Sequence, residues 1–274
     1  MDQKTIAIAG GDKTVYDLVD QFSEGVLFDV FSTEPKSRKF NQNVNYVEVK
    51  SDREAANLAV QDVVNGADIL FKGLVQTHIL LKEVLLEKKR LVHKNLLSHV
   101  ALLDIPGQNR PVLLTDAAMN IEPSFDQMLL IIENAVDVAL SLSIKRPKVA
   151  ILSSAENFNP KMPSSVRGRE LMIYYQNNPI CADIYGPISL DLAMSTQVVA
   201  KKHFDGFVAG NADILVVPNI DVGNVLYKSL TLFTDTKVGG MIVGANVPIV
   251  LTSRGDSLEN KQTSLQFALD VVQK

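Results

Sequence analysis

The segment VLTSRGDSLEN (250–260) joins an apolar run to side chains that can bind an anion. Ser253 and Arg254 follow the run directly. A guanidinium can hold a phosphate through two parallel hydrogen bonds, and a hydroxyl can donate to an oxyanion. Asp256 and Glu259 have the spacing of a helix N-cap pair. The segment therefore predicts a strand-to-helix turn that binds an anion, rather than an RGD tripeptide displayed for adhesion.

A second candidate segment is KVAILSSAENFNPKMPSSVRGRE (148–170). A buried strand opens into a polar loop, and Ser164 or Ser165 can cap the helix that follows. The amides at a helix N-terminus suit a phosphate, and Lys161 and Arg167 would add charge-assisted hydrogen bonds. A solvated loop before a capped helix explains the segment equally well, so both interpretations stay open.

A third candidate is NIDVGNVLYKSL (219–230), which follows another buried strand. Asn219, Asp221 or Asn224 can cap the next helix, and Gly223 permits a close approach to the backbone. An ordinary turn between a strand and a helix explains this segment as well.

The rest of the sequence predicts the elements that position these residues. Short β-branched runs alternate with helical patterns, which is typical of α/β proteins with mainly parallel sheets. Capping pairs at Ser51 with Glu54 and at Ser124 with Gln127 predict helices over 52–65 and 125–143, and apolar periodicity predicts a third over 77–90. The predicted strands are 5–10, 26–31, 43–50, 67–73, 100–105, 111–117, 148–153, 182–187, 212–218 and 247–253.

The segment SLSIKRPKVAILS indicates a domain boundary near residue 145, because a long helix ends there and a new strand begins. Polar residues cluster where the strands end. Ligands of open α/β sheets bind at the carboxyl ends of strands, so we expect one cleft between two lobes. The clusters are Lys72, Asp116 with Asn120, Ser153 with Ser154, Gly186 with Asp191, Asn219 with Asp221, and Ser253 with Arg254.

Composition excludes several classes of function. The net charge of -4 argues against general nucleic-acid binding, and no apolar stretch approaches the ~20 residues that span a bilayer. The N-terminus does not resemble a signal peptide, and the single Cys181 indicates a reducing cytoplasm. The motifs of dinucleotide and nucleotide binding and of serine–histidine hydrolases are missing, and the four histidines have no metal-ligand spacing.

Several segments in series resemble the phosphate acetyl- and butyryltransferases, the phosphotransacylases. Each segment alone is a weak match to the family, but the segments occur in the same order and together are a specific match. They cover roughly three quarters of the chain. The VLTSR segment with Asp256 is closer to the butyryltransferases than to the acetyl enzymes. The matching stretches are GADILFKGLVQT, LLTDAAMN, LSS…NFNPKMPSSVRG, YGPISLDLAMS, GNADILVVPNIDVGNVLYK and VLTSRGDS.

The resemblance implies a two-lobed α/β fold of the isocitrate and isopropylmalate dehydrogenase type, with the active site in the interdomain cleft. One domain would comprise 1–144 with 241–274, and the other 145–240. The implied reaction interconverts a short or branched-chain acyl-CoA and phosphate with acyl phosphate and CoA. CoA is then a substrate, with no permanently bound cofactor and no metal. The enzyme would be a cytoplasmic homodimer or larger homo-oligomer with no nucleic-acid or membrane partner.

The resemblance also assigns Ser253 and Arg254 to the active site, in agreement with their chemistry. The acetyl enzymes have a carboxylate, thought to be the thiol base, where this chain has Asn260, and Asp256 could replace it. An ordinary aspartate lies about 4.6 pKa units, or roughly 6 kcal/mol, below a thiol, so thiolate formation assisted by Arg254 is an equal alternative. The substrate-binding candidates are Lys72, Asp116, Asn120, Ser154, Asn159, Lys161, Ser164, Arg167, Gly186, Asp191, Asn219, Gly223, Asn224 and Asn260.

Three alternatives remain at this stage. The chain could be a phosphate acetyltransferase, because one methylene in the acyl group is worth only ~1–3 kcal/mol of discrimination. It could be a non-catalytic cytoplasmic protein that binds CoA or another anion on the same fold. A related dehydrogenase would need a cofactor loop that the sequence does not show.

Overall fold

The computed structural model describes residues 3–22, 25–35, 43–92, 96–252 and 257–272. Within them, eleven strands alternate with ten helices. The strands are β1 (Lys4–Ala9), β2 (Val26–Ser32), β3 (Val44–Glu48), β4 (Ile69–Lys72), β5 (Ser98–Asp104), β6 (Val112–Thr115), β7 (Lys148–Leu152), β8 (Asp183–Ile188), β9 (Ile214–Val216), β10 (Lys237–Val243) and β11 (Ile249–Leu251). The helices are α1 (Lys13–Val19), α2 (Asp52–Val64), α3 (Thr77–Leu86), α4 (Lys88–Leu91), α5 (Phe125–Ser141), α6 (Pro163–Asn177), α7 (Leu190–Met194), α8 (Thr196–Lys202), α9 (Ile220–Phe233) and α10 (Leu258–Val272).

The chain forms two compact units, residues 1–97 with 239–274 and residues 98–238. In the first unit the strand order is β3-β2-β1-β4-β11-β10, and β10 and β11 form its one antiparallel pair within the described residues. Helix α2 packs on β1, β2 and β4, and α10 packs on β4 and β11. Phe28, Phe71 and Phe267 are fully buried among these elements and fill the core.

In the second unit the strand order is β5-β6-β9-β7-β8. β5 and β6 are antiparallel, and the remaining neighbours run parallel. Helix α5 packs on β6 and β9, α6 packs on β7 and β8, and α9 packs on β6. The parallel strands are almost entirely apolar and buried, as expected where helices cover a sheet.

The predicted alternation of strands and helices is confirmed, since each predicted strand coincides with an observed one. Ser124 forms a complete capping box at the start of α5, with Gln127 bonding back to the Ser124 amide. The predicted helix over 77–90 is wrong as a single helix, because α3 ends at Leu86 and α4 begins at Lys88. Among the described residues, no helix has the length and apolarity needed to cross a bilayer.

The compact units differ from the predicted domains in residues 98–144, which were predicted in the first domain and lie in the second unit. β6 pairs with β9 and α5 packs on both strands, so these residues share the core of the second unit. The division into 1–144 with 241–274 and 145–240 stays a prediction about independently folding domains.

Asp62 on α2 gives the first unit a pH-dependent stability. Burial, reinforced by the neighbouring carboxylate of Asp29 on β2, raises the pKa of Asp62 from 3.8 to about 6. Because the folded-state pKa is the higher one, this contribution to stability is present below about pH 4 and is lost as the pH rises through 6. Asp62→Asn should therefore stabilise the protein at pH 7.5 by about 1 kcal/mol, a discounted figure because the carboxyl is only half-buried.

Urea unfolding of wild type and Asp62→Asn at pH 4.5 and pH 7.5 checks this expectation. The difference in unfolding free energy should favour the variant at the higher pH and should be clearly smaller at the lower one. An equal difference at both pH values contradicts the assignment.

Candidate functional site

In the first unit, a pocket of about 880 Å³ opens where β4 and β11 end side by side. We call it the lysine pocket. Its lining residues come from the ends of both strands and from the start of α3, and they are Lys72, Val75, Gln76, Thr77, His78, Leu81, Leu251 and Thr252. The carboxyl ends of parallel strands are the usual location of ligands in such sheets.

Lys72 is the charged group at the base of the lysine pocket. The residue is only 4% exposed, and its Nζ donates to the carbonyl oxygens of Gly73 at 3.2 Å and Val75 at 3.4 Å. The Thr252 hydroxyl donates to the Lys72 carbonyl, which ties the two strand ends together. A cation that lines a pocket at the ends of parallel strands is suited to an anionic ligand, so the position of Lys72 favours one.

The predicted catalytic residues Ser253, Arg254 and Asp256 lie outside the described residues. Thr252, the last described residue before them, lines the lysine pocket. Beyond them, α10 begins at Leu258 and the Ser257 Oγ accepts from the Asn260 amide at 3.2 Å, as an N-cap residue does. The predicted cap pair of Asp256 with Glu259 includes a residue outside the described ranges and stays a prediction.

In the second unit, Asp116 organises the turn after β6. Its Oδ1 accepts from the amides of Ala118 and Met119, both at 2.9 Å, and its Oδ2 accepts from the backbone and side-chain nitrogens of Asn120 at 3.3 and 2.6 Å. Asp116 is 3% exposed. These two candidates thus bond to each other and shape a turn.

Helix α9 packs closely against this same turn. A Cβ on Gly223 would lie 2.9 Å from the Ala117 Cα and the Asp116 carbonyl oxygen, so only glycine allows so close an approach. Asn224 donates to the Ala117 carbonyl at 3.4 Å. The helix begins with Asn219 as its N-cap, whose Oδ1 accepts from the Val222 amide at 3.1 Å.

Asp116→Ala should lower the free energy of unfolding by about 2 kcal/mol, because four hydrogen bonds to a buried carboxylate are lost and water reaches only part of the turn. Asp104→Ala, at an exposed carboxylate in the same unit, is the matched control and should change it by less than about 0.5 kcal/mol. Chemical denaturation measures both. Equal effects for the two variants would sink the structural assignment.

His99 lies next to the strand end that leads into this turn, where its carbonyl accepts from the Thr115 hydroxyl. Burial lowers the pKa of its imidazole, and the nearby Asp116 carboxylate opposes this only partly. Its Nδ1 is buried without a hydrogen-bond partner, and its ring makes an edge contact with Tyr227. His99 is therefore a packing residue, whereas His78 lines the lysine pocket, which the sequence did not reveal. His93 lies outside the described residues.

The loop after β7 leads into α6. Contrary to prediction, neither Ser164 nor Ser165 caps this helix, because it begins at Pro163 and its N-cap is Met162, which makes no side-chain capping bond. Ser165 Oγ instead accepts from the Asn159 amide at 2.9 Å, and Ser164 Oγ lies 3.0 Å from Ser153 Oγ. The hydroxyls hold the loop on the helix.

The other candidate residues of this loop and of α6 make hydrogen bonds, an ion pair or a ring contact within the same region. The Ser154 hydroxyl donates to the Met162 sulfur at 2.9 Å, and Asn159 Oδ1 accepts from the exposed Lys161 through its backbone amide. Arg167 pairs with Glu170 at 3.6 Å and lies over the Phe125 ring at 5.8 Å.

A second pocket, of about 640 Å³, opens at the carboxyl ends of β7, β8 and β9. We call it the serine pocket. Most of its wall is aliphatic, and four serines contribute hydroxyls. It is lined by Leu152, Ser153, Ser154, Ser164, Leu190, Pro218, Asp221, Val222, Val225, Leu226 and Ser229.

Two further candidates, Gly186 and Asp191, stabilise the end of β8 and the start of α7. Gly186 lies inside β8, where a Cβ would come within 2.7 Å of the Ile151 Cβ, so it allows close strand packing. The Asp191 carboxylate accepts from the Ser189 hydroxyl and pairs with Lys202 at 3.0 Å. These contacts, the Ser189 hydrogen bond first, lower the pKa of Asp191.

Comparison with known proteins decides the family. The family described as Phosphate acetyl/butaryl transferase matches residues 34–267. A probable phosphate butyryltransferase of Bacillus subtilis is 42% identical over 97% of this chain and 92% of its own length. The chain belongs to the phosphate acetyl/butyryltransferase family.

Solved structures agree with this family. A branched-chain phosphotransacylase from Enterococcus faecalis superposes with a TM-score of 0.93 at 48% identity, over 98% of this chain and 99% of that one. A Salmonella typhimurium protein named as a 4-hydroxythreonine-4-phosphate dehydrogenase has the same fold at 12% identity, with a TM-score of 0.60 over 98% of this chain and 99% of that one. The predicted α/β fold of the dehydrogenase type is confirmed.

As a member of this family, the chain is a phosphate acyltransferase, with CoA, phosphate and acyl phosphate as its substrates. The predicted transferase activity is confirmed at this level. Among the described residues, no group of three or more His, Cys, Asp and Glu side chains is placed to hold a metal ion.

Proposed function

We propose that the chain is a phosphate butyryltransferase-like enzyme that interconverts a butyryl-like or branched-chain acyl-CoA and phosphate with acyl phosphate and CoA. The observation that carries this proposal is the lysine pocket, where buried Lys72 lies beside Thr252 at the end of the strand that leads to Ser253 and Arg254. The preference for butyryl or branched chains is supported by the names of the relatives that match nearly the whole chain.

The proposed chemistry is displacement at the acyl carbon. A phosphate oxygen attacks the thioester carbonyl, whose oxygen becomes an oxyanion in the tetrahedral intermediate. The carbon–sulfur bond then breaks, its electron pair leaves on sulfur, and the thiolate takes up a proton. In the reverse direction the CoA thiolate attacks the acyl phosphate and phosphate leaves.

Each proposed catalytic group has a defined charge to stabilise. Arg254 binds the phosphate through two parallel hydrogen bonds, and Lys72 adds a second positive charge from the pocket floor. Ser253 donates to the oxyanion or to the phosphate, and one such donor is typically worth ~10²–10³ in rate.

The proton of the CoA thiol leaves either to Asp256 or to solvent from a thiolate stabilised by Arg254. Helix capping is not needed from Asp256, because Ser257 takes the cap position. Asn260 has no basic group, so it cannot serve as the base. An Asp256→Asn variant separates the two routes, since only a general base makes turnover depend on the carboxylate.

The remaining candidates bind substrate or fix the ends of strands in the proposal. Ser154, Asn159, Lys161, Ser164 and Arg167, from the loop after β7 and from α6, are proposed as substrate contacts. Asp116, Asn120, Gly223 and Asn224 hold the turn after β6, with Asn219 capping α9, and Gly186 and Asp191 hold the end of β8. Most of these contribute by fixing strand-end geometry.

A panel of acetyl-CoA, butyryl-CoA and isobutyryl-CoA with phosphate tests the proposal through relative kcat/KM. We expect kcat/KM for butyryl-CoA or isobutyryl-CoA to exceed that for acetyl-CoA at least tenfold, the low end of what a methylene contributes. A preference for acetyl-CoA would make the chain a phosphate acetyltransferase, as the family description also allows. If the protein binds CoA but turns over none of the three acyl-CoAs, the alternative of a non-catalytic CoA-binding protein would be favoured.

We further propose that the enzyme is a cytoplasmic homodimer or larger homo-oligomer. The C-terminal end of α9 supports this, because Leu232 and Phe233 are 75% and 78% exposed and adjacent apolar side chains of this size favour burial against a partner. Light scattering of a variant with Leu232→Glu and Phe233→Glu should show a smaller particle. An unchanged mass would exclude this surface as the interface.

A further inference from the structure

The serine pocket is lined mainly by aliphatic side chains, with serine hydroxyls among them. Leu190 and two residues from the first half of α9, Val222 and Val225, belong to the aliphatic part. Ser153 and Ser164 also line the pocket, with their Oγ atoms 3.0 Å apart. The three aliphatic residues are 40%, 43% and 66% exposed, so the pocket presents an apolar surface that a ligand can cover.

The position of the pocket is that of a ligand site. Ser153 follows β7 directly, Leu190 comes two residues after β8, and Pro218 comes two residues after β9. Three neighbouring parallel strands thus deliver their following residues to one pocket, as binding sites of open α/β sheets do. Its volume of about 640 Å³ is in the range of small-molecule sites.

The lining chemistry selects one part of the substrate. Among the described residues that line the pocket there is neither a cation nor an aromatic ring, and Asp221 contributes a carboxylate. A phosphate or pyrophosphate would meet a like charge, and an adenine ring would find no lining ring to stack on. An uncharged aliphatic chain with one polar end matches a wall of aliphatic side chains and serine hydroxyls.

We propose that the serine pocket receives the acyl chain of the acyl-CoA, and that Leu190, Val222 and Val225 set the chain length and branching that the enzyme accepts. The hydroxyls of Ser153 and Ser164, which bond to each other, then form a polar part of the wall beside the acyl group. The assignment rests on the proposed function and adds to it the residues that determine acyl specificity.

The proposal predicts opposite effects for filling and for enlarging the pocket. Val222→Phe places a ring where the chain would lie, so kcat/KM for butyryl-CoA relative to acetyl-CoA should fall at least tenfold, since one methylene is worth about 10–200-fold in such pockets. Leu190→Ala opens space, so kcat/KM for a six-carbon or branched acyl-CoA relative to butyryl-CoA should rise severalfold.

The control is Ile173→Phe on α6, which is 43% exposed and is not among the residues lining the pocket. Its ratios of kcat/KM between the acyl-CoAs should match those of the wild type. If both pocket variants turn over acetyl-CoA with unchanged ratios, the acyl assignment is overturned while the proposed function stands. If the wild type acts on none of the acyl-CoAs, the proposed function and this assignment both fall. The Leu190→Ala variant provides an answer even where Val222→Phe does not fold.

Discussion

Replacement of Arg254 by alanine is expected to lower turnover at least a hundredfold while the protein remains folded. The guanidinium is proposed to hold a phosphate that carries roughly two negative charges, and the intermediate adds a third on the carbonyl oxygen. Hydrogen bonds to charged groups are worth about 1.5–3 kcal/mol each, so the loss of a bidentate pair accounts for a factor of this size. Steady-state kinetics with butyryl-CoA and phosphate measure it.

Two further variants make the Arg254 result specific. Arg254→Lys keeps the charge but loses the planar pair of donors, and it should recover only part of the activity. Arg90→Ala is the matched control, because Arg90 is an arginine with a 57% exposed side chain that pairs with Glu87 at 3.7 Å. Turnover of Arg90→Ala should remain within twofold of the wild type. Turnover of Arg254→Ala within tenfold of the wild type would remove the arginine from the mechanism.

The second large effect is expected at Lys72. Lys72→Met keeps an unbranched side chain as far as the position of Cε and removes the ammonium, so the packing of the strand ends is largely retained. The KM for phosphate should rise about a hundredfold, corresponding to one or two charge-assisted hydrogen bonds. Initial rates at varied phosphate and saturating acyl-CoA determine this value.

Lys82→Met on the exposed side of α3 is the control for Lys72→Met. It removes the same charge from the same unit without touching the residues that line the lysine pocket, and KM should not change. A KM for phosphate that stays the same in Lys72→Met would mean that the buried ammonium serves the packing of the strand ends rather than the substrate.

The sequence predicted the sheet better than the roles of individual polar residues. Strand positions follow from apolar runs, a local property that the chain displays directly. β10 escaped prediction because its segment KVGGMIV contains Gly239 and Gly240, residues that weaken a strand pattern. Its pairing with β11 is supplied by tertiary contacts, which a local pattern does not contain.

The candidate site shows the same limit. Lys72 was recognisable as a strand-end residue, yet the pocket that it shares with Thr252 depends on β4 and β11 lying side by side across 180 residues of sequence. Asp116 and Asn120 looked like ligands because both are polar and follow a strand, whereas the structure pairs them within one turn. A sequence lists donors and acceptors, but only the folded chain decides which of them bond to each other.

The parallel pairing of β11 with β4 also has a consequence for biosynthesis. The ribosome makes β4 early, but its neighbour at Ile249–Leu251 emerges only after the whole of the segment 98–238 has been translated. The sheet of the first unit therefore cannot close while the chain is still growing through the second. A nascent chain therefore carries an unpaired edge at β4 during that interval.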